Sequence, residues 1–150
     1  MKDRTVLFVD DDCIVLRSIA RGLLDEPYNM SFARSGEEAL EILRQQEVHV
    51  LVTDMCMPEM DGTELLKIVT KEYPHIVKMV LSRYTNTTAL TMAMHQEGVF
   101  KIIPKPWNLQ EGEEFRAIVQ LAIDQYNLKS EQVGTASESK PYSDCQISKE

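Results

Sequence analysis

The stretch Thr5–Cys13, "TVLFVDDDC", guides the interpretation of the whole chain. Its first half is an apolar, β-branched run typical of a strand that is buried on both faces of a sheet. The run ends abruptly in three adjacent aspartates. Two carboxylates in close contact repel each other by roughly 4 kcal/mol at an effective dielectric constant of about 20. Three like charges at the end of a core strand are tolerable if a cation neutralises them.

Further short apolar runs alternate along the chain with segments of helical periodicity. The predicted strands are residues 6–9, 30–32, 48–53, 77–81 and 100–103. Between them, apolar residues recur three and four positions apart, which predicts amphipathic helices. Regular alternation of strands and helices is typical of parallel strands joined by crossover helices. We therefore expect an α/β domain with a five-stranded, doubly wound sheet.

Helix start signals support this division of the chain. Ser35 and Glu38 in "SGEE" fit a capping box at the start of the second helix. Asp12 is predicted as the N-cap of the first helix. Asp61 and Gly62 in "PEMDG" have the composition of a cap and a turn before the third helix, so we expect them to be structural.

Composition changes after Tyr126. Residues 127–150 are rich in Ser, Glu, Lys and Gln and lack apolar periodicity. We expect residues 1–126 to form the folded domain, and residues 127–150 to form a helix end followed by a flexible tail or linker.

The overall charge excludes some functions. A formal charge of −8 and a pI near 4.9 argue against direct binding to nucleic acid or an anionic membrane. No apolar stretch approaches the roughly 20 residues that span a bilayer, so we expect a cytoplasmic protein. Three cysteines without a C-x-x-C pair predict reduced thiols rather than disulfides or a zinc site.

Polar residues follow the ends of four predicted strands: Asp10–Asp12, Asp54, Ser82 and Lys105. Carboxyl ends of parallel strands share one edge of the sheet, so these residues are expected to converge. Oxygen-only ligands favour a hard cation such as Mg²⁺. An aspartate can act as a nucleophile and form an aspartyl phosphate, while a cation and a lysine offset the charge of the phosphoryl oxygens. The pattern therefore predicts a Mg²⁺-dependent site that handles phosphoryl groups.

The segments "VLFVDDD", "LVTDMCMPEMDG", "MVLS" and "IIPKPW", in this order, resemble the receiver domain of bacterial two-component response regulators over residues 4–126. The resemblance implies a flavodoxin-like fold with strand order 2-1-3-4-5. It implies a cytoplasmic phosphorelay protein phosphorylated by a sensor histidine kinase or a phosphotransfer protein. Such a domain is not an enzyme beyond its own Mg²⁺-dependent phosphorylation and dephosphorylation.

By position, the resemblance also assigns roles. Asp54 would be the phosphoacceptor and a ligand of Mg²⁺. Asp11 would bind the ion directly and Asp10 through water, with the backbone carbonyl of Cys56 as the remaining protein ligand. The output surface would be the fourth helix, fifth strand and fifth helix, which would contact an effector domain or protein; homodimerisation through the same face stays open.

Ser82 would donate a hydrogen bond to the phosphoryl group, and Lys105 would pair with it. Two positions depart from the family pattern. Arg83 stands where a small residue is usual, which leads to the hypothesis that it slows phosphoryl exchange. Ile102 stands where many members carry an aromatic residue that moves on activation.

Two alternatives remain at this point. The first is a degenerate receiver that acts as a phosphorylation-independent interaction module, an interpretation that Arg83 keeps open. The second is a phosphohydrolase with an aspartate nucleophile. Haloacid-dehalogenase-like enzymes of that kind need a second aspartate two residues after the first, and this position is Cys56, which disfavours the alternative.

Overall fold

Five strands and five helices alternate through the part of the chain that the computed structural model describes, which is residues 4–82, 88–104 and 112–138. The strands are β1 (Thr5–Val9), β2 (Asn29–Ala33), β3 (Val50–Asp54), β4 (Val77–Ser82) and β5 (Lys101–Pro104). The helices are α1 (Cys13–Gly22), α2 (Gly36–Gln45), α3 (Gly62–Glu72), α4 (Thr88–Gln96) and α5 (Gly112–Glu138). Each predicted strand is present, with bounds shifted by one or two residues.

All pairs of neighbouring strands are parallel, in the order β2-β1-β3-β4-β5. This confirms the predicted flavodoxin-like architecture. The chain reverses its winding direction at β1, because β2 lies on one side of this strand and β3 on the other. In open parallel sheets, the crevice at the carboxyl ends of two such strands is the usual ligand site. The fold therefore places the aspartates after β1 beside the end of β3.

The core lies in two layers, one on each face of the sheet. Alternate residues of β1, β3 and β4 point to opposite faces, because the side-chain period of a strand is two. One layer packs against α1 and α5 and includes Phe8, Val52, Met79, Ile19 and Val119. The other packs against α2, α3 and α4 and includes Leu7, Leu51, Val80, Leu43 and Leu66. Burial on both faces explains why the central strands are continuous apolar runs.

The start of α2 differs in detail from the predicted capping box. The Ser35 hydroxyl accepts a hydrogen bond from the Glu38 N–H at 3.0 Å, as expected. The Glu38 carboxylate, however, accepts from the Arg34 N–H at 2.6 Å, and the reciprocal bond to Ser35 predicted by the motif is therefore wrong. The Ser35 backbone is extended (φ −155°, ψ 165°). Glu38 therefore bonds Arg34, the residue before Ser35, and not Ser35 itself.

Helix α5 continues past Tyr126 to Glu138. Near Tyr126, this helix contacts Arg4, the residue just before β1. The Arg4 guanidinium lies 5.0 Å above the centre of the Tyr126 ring, and its Nε donates to the Asn127 side-chain oxygen at 2.7 Å. The His49 ring packs edge-on against Tyr126 with 4.9 Å between ring centres. The domain boundary at residue 126 stays a prediction, and residues 139–150 lie outside the described residues.

None of the helices in the described residues combines the length and the apolar character needed to cross a bilayer.

Candidate functional site

Three carboxylates meet at the carboxyl ends of β1 and β3. Asp10, Asp11 and Asp54 each place a carboxylate oxygen within 4.8 Å of the other two. Asp10 and Asp11 follow directly after β1, and Asp54 is the last residue of β3, the neighbouring strand. The parallel pairing of these strands therefore brings together residues that are far apart in sequence.

Two of the three acids are buried. Asp10 has no exposed surface and Asp54 is 8% exposed, whereas Asp11 is exposed. The Asp10 N–H donates to the Ala33 carbonyl at 3.1 Å, which holds its backbone against the end of β2. The Asp10 carboxylate accepts from the Asp12 N–H at 2.9 Å. Burial makes the negative charge of this cluster costly unless positive charge or hydrogen bonds compensate it.

A divalent cation fits this set of donors. All three side chains offer only oxygen, which is the ligand type of Mg²⁺ and Ca²⁺. Oxygens that bind one Mg²⁺ at about 2.1 Å lie at most about 4.2 Å apart. The three oxygens lie within 4.8 Å of one another, an upper bound close to this value, so the cluster has the size that one ion needs.

Asp12 caps a helix and is not part of the acidic cluster. Its carboxylate accepts from the Ile14 N–H at 2.9 Å, and its backbone is extended, as in an N-cap. The prediction that Asp12 caps α1 is therefore confirmed. Because the cap holds the first turn of α1, it also fixes the short link that carries Asp11.

The backbone after Asp54 is held by the start of α3. The Gly62 N–H donates to the Met55 carbonyl at 3.0 Å. A Cβ atom added to Gly62 would lie 2.7 Å from Met55 Cα and still closer to the Asp54 carbonyl oxygen. Gly62 is therefore required for this close approach of the helix to the backbone of Asp54, rather than for the turn that the sequence predicted. The signal in the sequence was the Asp-Gly pair itself, but it does not distinguish a turn from a close contact.

Asp61 is fully engaged in capping α3. Its side chain accepts from the Glu64 N–H at 3.0 Å, and the Glu64 carboxylate accepts from the Asp61 N–H at 3.4 Å. This is a complete capping box, so the structural interpretation of Asp61 is confirmed.

The loop between β3 and α3 has a feature that sequence reasoning missed. Glu59 has a left-handed backbone (φ 68°), which costs a non-glycine residue about 1 kcal/mol. The next residue, Met60, packs so closely on Gly36 at the start of α2 that a Cβ there would lie 2.5 Å from its sulfur. Together with the capping box, this contact holds the loop beside the acidic cluster.

Ser82 lies at the same edge of the sheet. It is the last residue of β4 and is 7% exposed. Leu81, the residue before it, is the register partner of Asp54. Ser82 therefore lies one residue further along, on the strand next to Asp54, and its own register partner is Pro104 at the end of β5.

Of the four other residues that the sequence singled out, the structure describes two. Cys56 is exposed and follows Asp54 by two residues. Lys105, which follows Pro104 in the chain, and Arg83 lie outside the described residues, and their roles stay predictions. Ile102 is partly buried against the layer beneath α2 and α3.

Sequence comparisons identify related proteins. The family model described as the response regulator receiver domain matches residues 6–119. The chain is 36% identical to the hydrogenase transcriptional regulatory protein HoxA of Cupriavidus necator over 106 residues, which is 71% of this chain and 22% of that protein. It is 31% identical to the DNA-binding transcriptional regulator NtrC of Escherichia coli over 126 residues, 84% of this chain and 26% of that protein. The chain thus spans about a quarter of these relatives.

Solved structures show the same fold. A CheY-like response regulator receiver domain protein from Methanospirillum hungatei superposes with a TM-score of 0.76 at 25% identity, covering 84% of this chain and 98% of that one. The signal receiver domain of an HD-domain-containing protein from Pseudomonas fluorescens has a TM-score of 0.76 at 25% identity, covering 83% of this chain and 97% of that one.

Proposed function

Because the chain belongs to the family of response regulator receiver domains, we propose that it is a phosphorylation-dependent signalling switch whose phosphoacceptor is Asp54. The observation that carries the proposal is the cluster of Asp10, Asp11 and Asp54 at the switch point of the sheet. A buried acid between two strands, beside other acids, is suited to accept a phosphoryl group next to a bound cation.

In the proposed reaction, an Asp54 carboxylate oxygen attacks the phosphorus of a phosphohistidine on a sensor histidine kinase or phosphotransfer protein. The new O–P bond forms an aspartyl phosphate as the P–N bond breaks, and the imidazole leaves with the electron pair of that bond. The close packing of Gly62 on the Asp54 backbone supports this role, because it fixes the position of the nucleophile.

Mg²⁺ is the proposed cofactor. Asp11 and Asp54 would bind it directly, Asp10 would hold it through water, and the Cys56 carbonyl would complete the protein ligands. Bound there, the ion would offset the charge on the phosphoryl oxygens. The oxygen-only donor set supports this choice. The hydrogen bond from the Asp12 N–H to Asp10 supports a fixed orientation for the acid that would act through water.

Ser82 and Lys105 are the proposed partners of the phosphoryl group. The position of Ser82, one residue past the level of Asp54 on the next strand, supports a hydrogen bond from its hydroxyl. Lys105 follows β5 directly in the sequence, on the strand paired with β4, and its ammonium would add a second positive charge. In this proposal the domain turns over no external substrate, and only forms and loses its own aspartyl phosphate.

The proposed output is a change in partner binding through the face formed by α4, β5 and α5. On α4, Met92 is 48% exposed and Met94 is 38% exposed. Flexible methionines at a surface suit binding to varied partners. An effector domain or an effector protein is the proposed partner, and the cytoplasm of a bacterium is the proposed location.

The alternative of a phosphohydrolase is less well supported, because Cys56 stands where a second acid is needed. A degenerate receiver, which acts without phosphorylation, would not need three acids grouped at the end of the strands.

Mass spectrometry tests the proposal directly. The protein is incubated with Mg²⁺ and a small-molecule phosphodonor, and the intact mass is measured. We expect one phosphoryl adduct that is lost in Asp54→Asn and retained in Asp61→Asn. The second variant is the matched control, because the Asp61 carboxylate caps α3. An adduct that persists in Asp54→Asn, or a wild-type protein that forms none, would refute the assignment.

A further inference from the structure

A cavity lies at the edge of the sheet opposite the acidic cluster, at the amino ends of β4 and β5. Its volume is about 280 Å³, and we call it the amino-edge cavity. The residues that line it come from the start of β4, the segment before β5 and the second half of α5: Ile76, Val77, Lys78, Gly98, Val99, Phe100, Gln125 and Lys129. Lys78 and Ser82 are four residues apart on β4, so the cavity lies roughly 13 Å along the strand from the acidic edge.

Lys78 is an unusual residue for a central strand. It is only 6% exposed, and lysine is almost never buried to this extent unless it is paired. Within the described residues, no hydrogen bond or ion pair is made by its ammonium group. Among the described residues, the only buried side-chain nitrogen or oxygen without a hydrogen-bond partner is the Tyr28 hydroxyl. The Lys78 ammonium therefore keeps contact with the solvent of the cavity, where an anion can reach it.

A second lysine adds positive charge beside Lys78. Lys129, on the exposed side of α5, lines the same cavity. Burial and the Lys129 ammonium both lower the pKa of Lys78, whereas Glu97 acts in the opposite direction. The cavity is therefore a positive region on a chain whose formal charge is −8. Val77, Val99 and Phe100 add some apolar surface to the lining.

We propose that the amino-edge cavity binds a small organic anion, with its carboxylate or phosphate group between Lys78 and Lys129 and its apolar body against Val99 and Phe100. Charge-assisted hydrogen bonds from two ammonium groups to one anionic group are strong. The volume of about 280 Å³ lies just below the usual range for small-molecule sites, about 300–1,000 Å³. This size fits a small metabolite.

The site is independent of the phosphoacceptor. The acidic cluster would bind a cation, whereas the amino-edge cavity would bind an anion, and the two lie at opposite ends of the strands. Binding measured without Mg²⁺ therefore reports on the cavity alone, and a failure of either proposal leaves the other standing.

Phenyl phosphate and benzoate are suitable probes, since both combine an anionic group with a small apolar ring. Each is titrated into the full chain in the presence of EDTA, and binding is followed by ¹⁵N NMR. We expect saturable shifts of the amides of Gly98, Phe100, Gln125 and Lys129. The tighter of the two probes identifies which anionic group the site prefers, and saturation by either one supports the proposal.

Variants and a neutral probe make the test specific. We expect Lys78→Met to weaken binding by about tenfold or more, the loss corresponding to one charge-assisted hydrogen bond. Lys129→Gln should weaken it similarly. Because Lys129 is exposed, this variant should fold even if Lys78→Met does not. Lys71→Met changes an exposed lysine on α3 and should leave the affinity unchanged. Absence of saturation, equally tight binding of phenol, or an affinity in both cavity variants equal to that of the wild type would overturn the proposal.

Discussion

Substitution of Gly62 by alanine tests the link between the packing of α3 and the position of Asp54. The added Cβ would lie 2.7 Å from Met55 Cα, and the Asp54 carbonyl oxygen would be closer still. Cβ contacts in proteins are ordinary at 3.4 Å or more, so helix and strand end would have to separate by about an ångström. Both neighbours are backbone atoms, which cannot rotate away as a flexible side chain would.

The expected cost follows from this geometry. Overpacking of this kind destabilises a protein by about 1–3 kcal/mol. A shift of about 1 Å in a reacting group can reduce a rate by roughly a hundredfold. We therefore expect Gly62→Ala to lower both the free energy of unfolding and the initial rate of phosphorylation of Asp54, the second by roughly tenfold to a hundredfold.

Gly22→Ala is the matched control. Gly22 is also helical, in the last turn of α1, but a Cβ added there would meet nothing within 4 Å. Alanine should stabilise the protein at this position by about 0.5–1 kcal/mol through its higher helix propensity. Urea unfolding followed by circular dichroism gives the stabilities. Phosphorylation rates are measured with a small-molecule donor at a temperature where both variants are folded. Equal stability and equal rate in Gly62→Ala and the wild type would refute the reasoning.

Three further predictions concern stability. Saturating Mg²⁺ should raise the melting temperature, because a ligand at about a hundred times its Kd adds roughly 2.7 kcal/mol to the free energy of unfolding. In Asp11→Ala the shift in melting temperature should nearly vanish. An unchanged shift in this variant would place the ion elsewhere. Burial lowers the pKa of His49, whose Nδ1 accepts from the Thr5 N–H at 2.9 Å. The unfolded chain therefore binds more protons in acid, and the free energy of unfolding should fall as the pH drops below about 6.5. Denaturant titrations at neutral and acidic pH measure this, and His49→Gln should show a smaller fall; an equal fall in the variant would contradict the assignment. Finally, Ser35→Ala removes the N-cap of α2 and should cost about 1 kcal/mol in unfolding experiments, whereas Ser35→Asp should retain most of the stability; equal losses in both variants would show that the cap contributes nothing.

The fold was predictable because it depends on local patterns. Periods of two and about 3.6 residues are visible in the chain, and five alternations of strand and helix leave few topologies. The apolar run of β1 and the acids after it placed the site at the carboxyl edge. The N-caps Asp12 and Asp61 were also predictable, since a cap bonds residues only two or three positions away.

Details that depend on neighbours distant in sequence were not predictable. Gly62 looked like a turn residue, and its contact with the backbone of Asp54 becomes visible only when α3 is packed on β3. Glu38 fitted a capping box, but the path of the chain into α2 directs its carboxylate to Arg34 instead. The left-handed conformation of Glu59 has no signal in the sequence.

The amino edge of the sheet was missed altogether. Lys78 reads as one polar residue in an apolar run, and Lys129 lies in a segment without apolar periodicity. Neither suggests a site alone. Parallel packing of β4 and β5 beside α5 brings both lysines to the same cavity.

By itself, the amino-acid sequence determined the order of strands and helices and the chemical type of each group at the strand ends, because backbone propensity, periodicity and capping act over a few residues. Only the tertiary structure decided which groups lie within reach of one another: the mutual 4.8 Å limit among the three acids, the contact at Gly62 and the burial of Lys78. The physical reason is that distances between separate elements are set by how side chains pack across the sheet, and no local pattern records them.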